Sequence, residues 1–207
     1  MLAVLAMLIV SGWRPYDRAT WLLEVLPVVL VLPLLVCTRR RFPLTGLLYT
    51  GLCVHAAVLI LGGAYTYARV PLGDVLKDLF DLERNPYDRI GHLFQGFVPA
   101  LAAREILLRG GHVRSRAWVP FLVVCIVLAF SATYELIEWA TAVVFADGAV
   151  AFLGTQGDPW DAQWDMFCAL LGGLAALACC SRFHDRELMI LAPRATATTD
   201  AHDVRAG

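Results

Sequence analysis

Charged residues are scarce in this sequence. Asp, Glu, Lys and Arg make up 17% of the 207 residues, whereas a soluble globular domain carries roughly 25%. Hydrophobic residues make up 59%, and they form blocks of helix length instead of an amphipathic period. We therefore expect no separate soluble domain. The formal net charge of −1 gives no indication of nucleic-acid binding.

Paired cysteine motifs are absent as well. The six cysteines lie in or beside apolar stretches, and no two of them form a C-x-x-C pair. A free cysteine in such a place is ordinarily a small buried hydrophobe. We predict no structural disulfide.

Six apolar blocks are long enough to be considered as membrane spans. A helix needs about 20 mostly apolar residues to cross about 30 Å of hydrocarbon, and lipid leaves no other backbone structure open to such segments. The first block lacks the basic start and small-residue cleavage site of a signal peptide, so we expect a retained helix. The fold class is predicted as all-α, a polytopic membrane bundle of about six transmembrane helices in one domain (1–190), with spans at 1–13, 20–37, 45–64, 90–108, 118–145 and 164–181.

The basic residues predict the orientation, because Lys and Arg in short loops stay on the cytoplasmic side. With six spans, the clusters after the second, fourth and sixth fall on one side, and the last outer loop (146–163) has three Asp and no Lys or Arg. We expect a multi-pass membrane protein with both termini cytoplasmic. The clusters comprise Arg39, Arg40, Arg41, Arg104, Arg109, Arg114, Arg116, Arg182 and Arg186.

Two segments fall outside the spans. Residues 71–85 alternate apolar and charged side chains at helical spacing, which predicts an amphipathic helix on the outer surface or a lid over the mouth of the bundle. Residues 191–207 have little to bury, so we expect a disordered cytoplasmic tail.

Polar residues inside the last three spans are arranged in stripes. Each stripe has the i, i+4, i+7 spacing of one helix face, and all three lie in the outward half of the membrane. Carboxylates held this close in a medium of low polarity either share protons or surround a cation. The stripes are Asp88, His92 and Gln95; Ser131, Glu135 and Glu138; and Asp161, Asp165 and Cys168.

Three interpretations of these stripes stay open. The first is an enzyme of metal-assisted or acid/base hydrolysis or transfer. Such an enzyme would use a divalent metal ion whose identity the residues do not indicate. The ligands or proton carriers would be His92, Glu135, Glu138 and Asp165, and Asp88 and Asp161 would orient them. The second is an ion- or proton-coupled transporter. The third is an assembly protein whose polar groups only fix helix packing, at about 0.6 kcal/mol per interaction.

Two further polar residues lie within the spans. His55 has apolar neighbours in the third span, and we expect a satisfied buried histidine and not a ligand. Glu24 lies one turn into the second span, which also starts outside, so it has the depth to join the stripes. We expect it instead to pair with Arg18 or to lie at the interface.

Three blocks of sequence carry a family resemblance. NPYDRIGHLFQG (85–96), SATYELIEW (131–139) and GTQGDPWDAQWDM (154–166) resemble the YjdF family of bacterial inner-membrane proteins, and the likeness covers nearly the whole chain. Ala162 stands where that family has Thr. A remoter similarity is to VanZ-like membrane proteins, which share the order Asp-x-x-x-His, Glu, Asp but carry an Arg before the last Asp that has no match here. The resemblance implies the fold, a location in the bacterial inner (plasma) membrane and an association with the cell envelope, so an enzyme here would act on an envelope or lipid substrate. It implies no particular activity.

Overall fold

A computed structural model of the chain describes residues 1–145 and 155–191. Within them every regular element is helical, which confirms the predicted all-α class. Two 3₁₀ turns (Tyr67–Arg69 and Arg116–Trp118) and a π-helical turn (Ala176–Cys180) connect the longer helices. The α-helices are α1 Leu2–Trp13, α2 Arg18–Thr38, α3 Gly46–Tyr65, α4 Pro71–Phe80, α5 Tyr87–Arg109, α6 Val119–Phe145, α7 Asp161–Ala175 and α8 Ser181–Leu191.

Four helical stretches are long and apolar enough to cross a membrane. They are α2, α3, Arg116–Val144 and Asp161–Leu191, while α1 is apolar but shorter. Helix α5 has the length, 23 residues, but it carries charged residues at both ends. These helices together form a membrane bundle.

The last helical stretch differs from the predicted one. It continues past residue 181 through the π-helical turn into α8, which ends at Leu191. Helix α8 is polar, and it remains helical because its acidic and imidazole side chains bind groups on α3 and α5. The predicted tail from residue 192 onward and residues 146–154 of the predicted outer loop lie outside the described residues.

Helix α4 forms part of the predicted amphipathic segment. Pro71 is at its first turn, where the missing N–H costs nothing. Its apolar side chains Leu72, Val75, Leu79 and Phe80 are all more than half exposed. They point away from the bundle, unlike the apolar face of a lid packed over it.

Helix α5 is the centre of the bundle and packs on α3, α6 and α7. Its contact with α7 is close because two glycines lie in it. A Cβ on Gly96 would meet the backbone of Ala169, and a Cβ on Gly172 would meet the backbone of Leu93. Small residues allow this approach of two backbones in membranes, where packing replaces the hydrophobic effect between helices.

Candidate functional site

The predicted stripes of α5, α6 and α7 meet around His92. Its Nε2 lies 3.6 Å from Asp88 Oδ1 and 3.9 Å from Asp165 Oδ2. Its Nδ1 lies 3.8 Å from Glu135 Oε1 on α6. The three helices thus place one imidazole among three carboxylates, and we call Asp88, His92, Glu135 and Asp165 the outer cluster.

Gln95 sets the orientation of the imidazole. Its Oε1 lies 2.7 Å from His92 Nδ1, one turn along the same helix, and both side chains are buried. With Nδ1–H donating to this amide oxygen, the lone pair of Nε2 points toward Asp88 and Asp165. A histidine that ligates a metal has this arrangement, with its second nitrogen donating to a fixed oxygen.

Several buried oxygens in the outer cluster and beside it lack hydrogen-bond partners. Among the described residues, Asp165 Oδ1, Glu135 Oε1 and Ser131 Oγ are buried and form no hydrogen bond. An unsatisfied buried polar group costs about 1–3 kcal/mol, and a charged one costs more. Asp88, His92 and Asp165 each offer a ligand atom, and these three atoms lie within 4.8 Å of one another. A cation among them would remove the cost.

The other two predicted site residues lie beside this cluster. Asp161 forms an ion pair with Arg84 and is not among the groups near His92. Glu138 lines a cavity between the helices instead of facing the imidazole. Asp88, which we expected to orient the ligands, is instead within ligand distance.

Arg84 holds the outer cluster to the loop before α7. Besides Asp161, it contacts Asp88 on α5 at 3.5 Å and Asp158 at 3.5 Å. Partial burial acts to lower the pKa of the Arg84 guanidinium, but the hydrogen bond and the charge of Asp161 outweigh it, so this pKa lies above its ordinary value. Arg84 therefore stays charged and neutralises part of the acidic surroundings.

Glu24 does not lie where the sequence predicts. It is 3% exposed, and the Tyr134 hydroxyl donates to its Oε2 over 3.4 Å. Among the described residues it forms no ion pair with Arg18. The sequence feature that indicates its true position is its depth in the membrane, which matches the depth of the three stripes.

A second buried polar group, which sequence analysis did not identify, lies at the other end of α5. Glu105 and His184 are fully buried, and their Oε2 and Nε2 atoms are 3.1 Å apart. Glu105 also accepts from Thr45 and Arg109, while Arg104 contacts both His184 and Asp185. We call this the inner cluster. Its buried charges are paired, as expected of a structural network. In the outer cluster, by contrast, Asp165 Oδ1 and Glu135 Oε1 have no hydrogen-bond partner among the described residues.

A cavity of about 570 Å³ runs beside α5. Its walls are one face each of α2, α3, α5 and α6, and mostly apolar side chains line it. Its polar lining is concentrated at the end near the outer cluster, where Glu24, Tyr67, Asp88, His92 and Glu138 face it. The cavity therefore joins the outer cluster to an apolar space within the bundle.

Comparison with known proteins gives two matches that agree. Residues 1–186 match the family described as predicted membrane protein (DUF2238). The chain is 56% identical over 187 residues to the inner membrane protein YjdF of Escherichia coli (strain K12), which covers 90% of both chains. No solved structure matches. The chain is therefore an integral inner-membrane protein that belongs to the YjdF (DUF2238) family.

Proposed function

We propose that the outer cluster binds a divalent cation and that the protein is a metal-dependent enzyme acting on a lipid or other envelope substrate. One observation carries the proposal. His92 Nε2 faces two carboxylates in a buried site where Asp165 Oδ1 has no hydrogen-bond partner among the described residues. Imidazole and carboxylate groups are suitable ligands for several divalent ions.

In this proposal Asp88, His92 and Asp165 are the ligands and Glu135 is the general base. A divalent cation held by these three residues would supply a lowered pKa to a water molecule beside it. Glu135 would accept a proton from that water as its oxygen adds to the carbon or phosphorus of an ester, and would return the proton to the leaving oxygen as the ester bond breaks.

The site faces outward in this proposal, with both termini in the cytoplasm. The support is the distribution of basic residues, since positive charge in short loops stays inside. The inner cluster and Arg116, which lies 2.6 Å from Asp185, are at the end of the bundle where these basic residues are concentrated.

The alternative interpretations are less well supported. An ion pathway needs polar groups that continue from one cluster to the other, but Val98, Leu101, Val123, Val127 and Ala169 form an apolar layer between them, each at most 1% exposed. A cluster that only fixes packing would be expected to pair its buried oxygens, as the inner cluster does.

The test is metal analysis of the full-length protein purified in mild detergent. We expect about one divalent ion per chain in the wild type, and its loss in Asp165→Asn, because the amide cannot replace a carboxylate ligand. Asp78→Asn is the control, since it removes the same charge from an exposed position on α4. A wild type without metal, or an Asp165→Asn protein with as much metal as the control, would refute the proposal.

A further inference from the structure

The cavity beside α5 is a groove as long as a membrane leaflet or longer. Its lining on α5 runs from Asp88 to Ile106, about 27 Å along a helix that rises about 1.5 Å per residue. A volume of about 570 Å³ spread over this length describes a long, narrow space of the kind that one hydrocarbon chain fills.

The groove is open to the bilayer from the side. Helix α2 packs on α3, and in the part of the chain that the structure describes it meets α6 at the Glu24–Tyr134 hydrogen bond near the outer end without packing along it. Ile126 and Phe130 of α6 line the groove and are 40% and 51% exposed. Leu34 of α2 lines it as well and is 58% exposed. A lipid chain can therefore enter between α2 and α6 without leaving the membrane.

The acidic lining at the outer end of the groove favours a lipid with a cationic head group. Glu24, Asp88 and Glu138 line its outer end, and none of its described lining residues is Lys or Arg. The proposed cation occupies Asp88 and leaves Glu24 and Glu138 without a positive partner. Among the described residues, the buried Glu24 accepts only hydroxyl hydrogen bonds. A buried carboxylate is stable when a cationic group pairs with it.

Besides Glu24 and Glu138, one more polar side chain in the groove indicates that a ligand binds there. His55 lines the groove on α3, and among the described residues its buried Nε2 has no hydrogen-bond partner, so the expectation of a satisfied histidine is wrong. An ester carbonyl below the head of a lipid would accept from this nitrogen.

From these observations we propose that the groove holds one acyl chain of a phosphatidylethanolamine, with its ammonium group bound by Glu24 and Glu138. The second chain stays in the bilayer, in the gap between α2 and α6. The proposal deepens the proposed function, because it names the substrate class of the same site. The phosphate lies between the ammonium and the acyl esters, on the side of the outer cluster.

The experiment measures lipid retention on the full-length protein in mild detergent by native mass spectrometry. The probes are phosphatidylethanolamine, its N-acetylated derivative and phosphatidylglycerol. We expect phosphatidylethanolamine to be retained at least about tenfold more strongly than either of the others, because only it carries an ammonium group for a buried carboxylate.

Two pairs of variants test the head and the chain separately. Glu24→Gln should remove the preference for the free amine, whereas Glu83→Gln, in an exposed outer position, should keep it. Val31→Trp should block the groove and lower retention of phosphatidylethanolamine about tenfold. Val29→Trp, which points from the same helix to the lipid, should not.

The outcomes are decisive in both directions. Equal retention of the amine and its N-acetylated form, preference for phosphatidylglycerol, or equal behaviour of each variant and its control would overturn the proposal. Removal of metal with EDTA should leave the amine preference intact, since Glu24 and Glu138 are outside the proposed ligand set. A protein that contains no metal but keeps this preference would refute the metal-dependent function and support the lipid site.

Discussion

Gln95→Leu is a sensitive probe of the outer cluster, because it alters the site without touching a proposed ligand. In the wild type, Gln95 Oε1 lies 2.7 Å from His92 Nδ1, and both residues are less than 10% exposed. Leucine has nearly the volume of glutamine but accepts no hydrogen bond. The imidazole is then free to rotate or to change tautomer, so Nε2 no longer presents its lone pair to the cation.

The expected effect follows from the role of such second partners in metal sites. Their removal typically weakens metal binding by about 10–100-fold, or about 1.4–2.7 kcal/mol. The measurement is a chelator competition on purified protein, which gives the dissociation constant of the metal. Gln163→Leu, at an exposed position at the start of α7, is the control and should bind metal as the wild type does.

Thermal unfolding in the same detergent separates this effect from a general loss of stability. A buried N–H without a partner costs about 1–3 kcal/mol, so Gln95→Leu should also unfold at a lower temperature than the control. If it unfolds earlier but binds metal with unchanged affinity, the reasoning about the His92 lone pair is wrong. The cluster would then act in packing alone.

Three further predictions concern the bundle. Reporters fused in the last outer loop (148–157) should give a periplasmic signal and those after each basic cluster a cytoplasmic one; an inside signal from the loop would contradict the orientation. Gly96→Ala should destabilise the protein by about 1–3 kcal/mol in thermal unfolding, because its Cβ meets the Ala169 backbone, whereas Gly51→Ala, whose Cβ would lie 3.4 Å from Val98, should not. Glu105→Leu should lower the free energy of unfolding by about 3–5 kcal/mol, because it leaves buried cationic groups unpaired. Its metal content should be unchanged, and a loss of metal in the folded variant would show that the two clusters are coupled.

Much of the architecture was predictable from the sequence. The hydrophobic blocks predict the apolar helices, because lipid leaves no alternative to a helix for a long apolar segment. The i, i+4, i+7 spacing predicts that the three stripes face one another, since a stripe turned to lipid would leave carboxylates in hydrocarbon. His92, Glu135 and Asp165 do lie close together, whereas Glu138, predicted to join them, lines the cavity and Asp88 lies nearer to His92 than expected.

Other features depend on tertiary packing that spacing does not determine. The inner cluster was missed because α8 is polar and was not expected to remain helical, although His184 is fully buried by its contacts with α5. Glu24 is expected from the sequence to pair with Arg18 or to lie at the interface, yet it is buried and contacts Tyr134, 110 residues away. The groove arises from four helix faces that each look like ordinary apolar surface.

The two prolines within α2 affect the mechanics of the bundle. Pro27 and Pro33 have no N–H to donate to the carbonyls of Leu23 and Val29, so α2 lacks two of the hydrogen bonds that stiffen a helix. On the opposite side of the groove, α5 and α7 are held together by close backbone contact at Gly96 and Gly172. We expect the bundle to deform unevenly under thermal motion, with α2 bending while the helices that carry His92 and Asp165 keep their spacing.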